Sequence, residues 1–208
     1  PLTMIDTLYD AHYKSREKLA FEFAAILNQE ARELEAAGVD IIQFDEPAFN
    51  VYMDEAADWG VKALEVAARG LTCTTAVHIC YGYGIEANNK WKETLGHEWR
   101  QYEKVFPALA KSSIQQVSLE CMHSHVPMEM MKLLEGKEVM VGVIDVANPA
   151  IETPEEIADT IGRALQFVPK NRLIACTNCG LAPMSRAVAE AKLKALAEGA
   201  KLASQRYA

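Results

Sequence analysis

The chain has 208 residues, half of them hydrophobic and 24% charged, with a formal net charge of −8. Such a composition builds a globular domain with a substantial core, and it has no long basic run or stripe to hold nucleic acid or an anionic membrane. The longest apolar runs fall far short of the roughly 20 residues that cross a bilayer. Five cysteines, Cys73, Cys80, Cys121, Cys176 and Cys179, are an odd number without a visible secretory leader. They argue against a disulfide framework and for a reducing, cytoplasmic setting.

Helical and extended segments alternate along the chain. Pro1–Asp6 reads as the end of a strand, so an N-terminal part of the natural protein is expected to precede it. Residues 13–37 carry helical spacing, with Leu19, Phe23, Ile26 and Leu27 on one face and Gly38 as the stop. Residues 41–44 form a short apolar strand that ends at Asp45-Glu46-Pro47. A helix over 55–68 closes at Gly70, and a strand over 74–78 ends at His78. Gly82 and Gly84 open a loop, and 91–111 reads as one helix. A strand follows at 116–120, a short helix at 128–134 and a strand at 139–146. Thr153-Pro154-Glu155-Glu156 is a helix start with the residues of a capping box, and that helix runs to about Phe167. The last strand is 173–176 and the last helix 183–204.

Apolar strands flanked by helices imply parallel pairing buried on both faces. The expected fold is α/β, a (β/α)8 TIM-type barrel present as roughly its last six strands with their helices. Residues 1–208 are then a single catalytic domain lacking the first two strands of the full barrel. An open doubly wound sheet is the alternative, but no glycine-rich dinucleotide turn supports it. The open edge strand of such a fragment invites pairing with a second copy, so a homo-oligomer is allowed.

Asp45, His78, Cys80, Glu120, Asp145 and Cys179 each lie at or just past the C-terminal end of a strand, which in a barrel rings one mouth. Residues i and i+2 of an extended chain point the same way, so His78 and Cys80 can reach one ion, and imidazole with thiolate suits zinc. Alone the pair is weak, because cores bury both residue types. Glu120 ends an apolar strand, where a carboxylate needs a partner; otherwise it is a solvated strand end. Cys179 is a ligand or a free loop thiol. Cys176 and Cys179 have the spacing of a redox pair, though Cys176 reads as a buried strand residue. Asp45, Glu46 and Asp145 suit substrate binding or acid–base chemistry, or else loop capping and ion pairing. His123 and His125 flank a loop near Glu120 and read as surface residues in preference to a role in the site.

These motifs, in order, resemble the catalytic C-terminal domain of cobalamin-independent methionine synthase. Residues 42–48 are similar to its Asp-Glu-Pro-Ala strand end, and His78-Ile79-Cys80-Tyr81 to its His-x-Cys zinc motif. Leu119-Glu120 resembles the strand with its zinc-binding glutamate, Gly142-Val143-Ile144-Asp145 its next strand, and Asn178-Cys179-Gly180-Leu181 its final motif. The resemblance implies a methyltransferase with Zn2+ held by His78, Cys80, Glu120 and Cys179. It further implies Asp45 and Glu120 in the homocysteine site and Asp145 as a catalytic residue. Homocysteine is then the acceptor, its thiolate the nucleophile, and methionine the product.

Three positions depart from the family's folate-using members. Ala147 stands where they carry a proton-donating histidine, Thr7 where a tryptophan stacks on the pterin, and Val51 where an acidic group contacts folate. The donor is therefore open between folate, a methyl-corrinoid and a partner protein. The other readings are a zinc-thiol methyltransferase with another acceptor such as coenzyme M, and a non-catalytic binding protein on the same fold.

Overall fold

The computed structural model describes residues 1–83 and 86–208. Gly84, expected to help open a loop, lies outside the described residues. Five strands are found among them: β1 (Ile41–Asp45), β2 (Thr74–His78), β3 (Gln116–Glu120), β4 (Glu138–Gly142) and β5 (Leu173–Cys176). They form one sheet in the order β1-β2-β3-β4-β5. The pairs are parallel, with Ile41 beside Thr74, Ala76 beside Gln116 and Val139 beside Leu173. Consecutive parallel neighbours joined by helical crossovers are the connectivity of a partial barrel.

The sixth expected strand is a helix. Leu2–Asp6 is α1, with Leu2 and Ile5 on its buried side. Buried Glu46 decides this: its carboxylate accepts from Leu2 N at 3.1 Å, Thr3 N at 2.8 Å and Thr3 Oγ1 at 2.6 Å. An anion at the first turn satisfies helix N–H groups that have no partner within the helix. Glu46 is thus a structural cap rather than a group presented to substrate.

Two compact units make up the chain. The first comprises Pro1–Ile79, Gln101–Val117 and Leu133–Lys137. Its long helix α2 (Arg16–Ala36) is N-capped by Ser15 and buries Ala20, Ala24 and Ala31. The expected apolar face is shifted: Ile26 is 61% exposed, and the alanines allow close packing on a later helix of the unit. The expected helix over 55–68 is a continuous helical run in three parts, α3 (Met53–Glu55), a π-turn at Ala56–Gly60 and α4 (Val61–Ala67).

The second unit comprises Cys80–Arg100, Ser118–Lys132 and Glu138–Ala208. The expected helix over 91–111 is broken into α5 (Glu86–Lys92) and α6 (Tyr102–Lys111), the latter in the first unit. Gly96, at φ +77°, supplies a left-handed position in the interruption. The expected strand over 139–146 stops at Gly142, and residues 128–134 form a 3-10 helix. α7 (Pro154–Ala164) begins with the full Thr153–Glu156 capping box, and α8 (Arg186–Arg206) with Ser185 as N-cap. Lys192 of α8 is wholly buried and holds Glu152 at 2.9 Å. No helix of the described residues is long and apolar enough to cross a membrane.

Candidate metal centre

Cys80 lies just beyond β2 and Cys179 just beyond β5. Their sulfurs face each other at 3.2 Å without forming a disulfide. His78, the last residue of β2, stands one residue removed from Cys80 in the chain. Hydrogen bonding to Cys179, then burial, pushes the Cys80 thiol well above the ordinary thiol range. Two thiols this close cannot both ionise without a compensating positive charge.

Glu120, the last residue of β3, is 1% exposed. One carboxylate oxygen accepts from Tyr81 N at 3.1 Å, the other from Tyr83 Oη at 2.6 Å and Ser124 Oγ at 3.3 Å. Burial raises its pKa in spite of these donors. Burial and the Glu120 charge push the Tyr83 phenol upward too, so it remains a neutral donor. Lys92 donates to Gly82 O at 2.8 Å and lies 4.2 Å over the Tyr83 ring. Burial lowers its pKa, while Glu120, Cys80, Cys179 and Asp145 all favour its charge. These groups therefore share one electrostatic neighbourhood, rich in ligands that bind best when anionic. Thiols, imidazole and carboxylate are a donor set that fits zinc.

Asn178, buried beside Cys179, ties the strand ends together. Its Oδ1 accepts from Cys121 N at 3.2 Å and Met122 N at 3.4 Å, and its Nδ2 donates to Met122 O at 2.8 Å. Gly142 leaves room for it: a Cβ there would sit 2.3 Å from Asn178 Oδ1. Cys179 is thus placed by a side chain that spans from the β5 end to the β3 end.

Asp145 is also buried. Its Oδ1 accepts from Ala147 N at 2.7 Å, its Oδ2 meets His123 Nδ1 at 3.2 Å, and its own N–H donates to Glu152 at 2.8 Å. Asp45, in the first unit, is exposed and accepts from Gln43 Nε2 at 2.9 Å. Burial raises the Cys176 thiol to about 12, and the pairing of Cys179 is with Cys80, which removes the basis for a Cys176–Cys179 redox pair. A cavity of about 750 Å³ in the first unit is lined by Thr72, Thr75, Ser113 and Gln115, near the N-terminal ends of its strands, and holds none of these candidates. Sequence reasoning missed Tyr83 and Asn178, whose partners are remote in the chain, and Lys92, which folds back on the loop after β2; it favoured a surface position for His123 over a role in the site.

A parallel sheet with helical crossovers and cysteine and carboxylate side chains at its C-terminal strand ends is the arrangement of the (β/α) barrel class, whose functional groups gather at that end. Residues 1–202 match the family described as cobalamin-independent synthase, catalytic domain, and the chain belongs to that family. It is 65% identical to a B12-independent methionine synthase from Shewanella sp. W3-18-1 solved in complex with selenomethionine. That match has a TM-score of 0.96 and covers 100% of this chain and 61% of the other. A methionine synthase from Saccharolobus islandicus (strain Y.G.57.14 / Yellowstone #1) is 33% identical over 204 residues, 97% of this chain and 56% of that protein. A B12-independent methionine synthase homologue from Listeria monocytogenes shares the fold at 16% identity, with a TM-score of 0.67. The chain thus spans little more than half the length of the curated relative.

Proposed function

We propose that the protein is a zinc-dependent homocysteine S-methyltransferase that forms methionine. The observation that carries this reading is the close approach of two cysteine sulfurs, Cys80 and Cys179, 3.2 Å apart in one electrostatic neighbourhood with buried Glu120. His78, Cys80, Glu120 and Cys179 are the proposed ligands. Zinc bound there would let a substrate thiol exist as thiolate at neutral pH. Tyr83, Ser124 and Tyr81 N hold the Glu120 carboxylate in place. Asp45, an exposed anion at the end of β1, is the proposed partner of the homocysteine ammonium. Asp145 is the proposed catalytic carboxylate beyond β4. In the reaction a sulfur–carbon bond forms to the methyl group as the donor's bond to that carbon breaks, and the electron pair leaves with the donor.

The donor is proposed to differ from methyltetrahydrofolate. Thr7 Oγ1 is engaged with Met4 O at 2.8 Å, Val51 is an apolar surface residue, and Ala147 offers only its backbone N–H to Asp145. Thr7 has no ring to stack on a pterin, Val51 has no acidic group to hold folate, and Ala147 has no side-chain proton to give. The test is methionine formation by zinc-loaded full-length protein with methyltetrahydrofolate and methylcobalamin in parallel. Zinc-dependent turnover with methylcobalamin and little with the folate is expected. Turnover from the folate alone, at a rate typical of the family, overturns the donor assignment. Methionine formation that is indifferent to zinc overturns the mechanism.

A further inference from the structure

We propose that His123, braced by Asp145, accepts the proton that an incoming thiol loses as it binds. The inference rests on the homocysteine reading above and is independent of the methyl donor. His123 lies in the turn after β3, three residues beyond Glu120, and its side chain is 58% exposed. Its backbone is left-handed, at φ +52°, one of two non-glycine residues with positive φ among the described residues. Strain of this kind persists where the surroundings hold it, and here it is held on both sides of the turn. Ser124 bonds the Glu120 carboxylate at 3.3 Å, and His123 Nδ1 meets Asp145 Oδ2 at 3.2 Å.

Asp145 is well fixed for this role. Its other oxygen accepts from Ala147 N at 2.7 Å, and its N–H is anchored to Glu152, which the buried Lys192 ammonium neutralises at 2.9 Å. A carboxylate on Nδ1 selects the tautomer with its proton there and leaves Nε2 as the basic nitrogen, then stabilises the imidazolium once it forms. The charged groups around the ring are Asp145, with which it pairs, Glu156, whose carboxyl its charge helps to lower, and Glu152, which lines the same small cavity. Lys192 is engaged by Glu152. The step balances: the S–H bond breaks, its electron pair stays on sulfur as thiolate, and an N–H bond forms at Nε2.

A thiol of pKa about 8.5 is mostly protonated at pH 7, so binding as thiolate displaces about one proton. Titration calorimetry of homocysteine into zinc-loaded full-length protein, in buffers of different ionisation enthalpy, counts the protons that reach solvent. Wild type is expected to release clearly less than one, and both His123→Ala and His123→Gln close to one. Asp145→Asn is expected to fall between. Gln keeps a side-chain hydrogen bond to Asp145 but cannot take the proton, so it separates proton uptake from bracing. Equal proton counts with homocysteine bound in all variants overturn the inference and leave the homocysteine reading intact. Failure of homocysteine to bind wild type overturns both.

Discussion

Asn178→Ala tests how the centre is positioned. The substitution removes three hydrogen bonds, two into Oδ1 from Cys121 N and Met122 N and one from Nδ2 to Met122 O at 2.8 Å. The two N–H groups keep a second partner, Gly142 O, at 3.1 and 2.9 Å. The buried Met122 carbonyl is the group left wanting, and an unsatisfied buried acceptor costs about 1–3 kcal/mol. With a small cavity added, the expected loss is about 2–4 kcal/mol of unfolding free energy. Because Cys179 follows directly, its thiol loses its fixed approach to Cys80, and groups that orient metal ligands are worth about 10–100-fold in affinity. Urea unfolding of the metal-free protein gives the first quantity, and zinc competition against a chromophoric chelator the second. Unchanged stability together with zinc affinity within twofold of wild type would refute the reasoning.

Other substitutions probe the surrounding structure. Gly142→Ala places a Cβ 2.3 Å from Asn178 Oδ1 and 2.9 Å from its Cα, so it should lower both the melting temperature and zinc affinity. Thermal melting that matches wild type would show that the strand end yields freely. Lys192→Met leaves Glu152 buried and uncompensated, and should destabilise by about 3–5 kcal/mol in chemical denaturation. A loss below 1 kcal/mol would mean water reaches Glu152. Glu35 accepts from the N–H groups of Cys73 and Thr72, which hold its carboxyl at about 2 against an ordinary 4.5. A depressed carboxylate contributes stability above its unfolded pKa and loses it as pH falls through the folded one. Glu35→Gln should therefore melt earlier than wild type at pH 7, with the difference fading between about 4.5 and about 2. A pH-independent difference would contradict that origin.

Local signals in the sequence located β2, β3 and β5 at their observed bounds, because each is a short apolar run bordered by turn residues. The α7 start was equally legible, since its capping box lies within four consecutive residues. The N-terminal helix was not: Leu2 and Thr3 are held by a carboxylate more than forty residues away, and an isolated apolar run of that length fits strand or helix. The break between α5 and α6 followed Gly96, a weak mark inside a periodic stretch. At the site, His78, Cys80, Glu120 and Cys179 stood out as strand-end residues of ligand type. Tyr83 and Asn178 did not, because their partners lie on or just beyond another strand, and Lys92 did not, because its contacts depend on how the loop after β2 folds back. The Asp145–His123 pair joins two loops through a left-handed residue, a conformation that composition and periodicity do not register.

The most direct test of the zinc-thiolate claim is zinc K-edge absorption of the full-length protein before and after homocysteine is added. The account expects about one zinc per chain with two sulfur ligands, rising to three with homocysteine, and loss of one sulfur in Cys179→Ser. A zinc-free protein, or a sulfur count that homocysteine leaves unchanged, would contradict it.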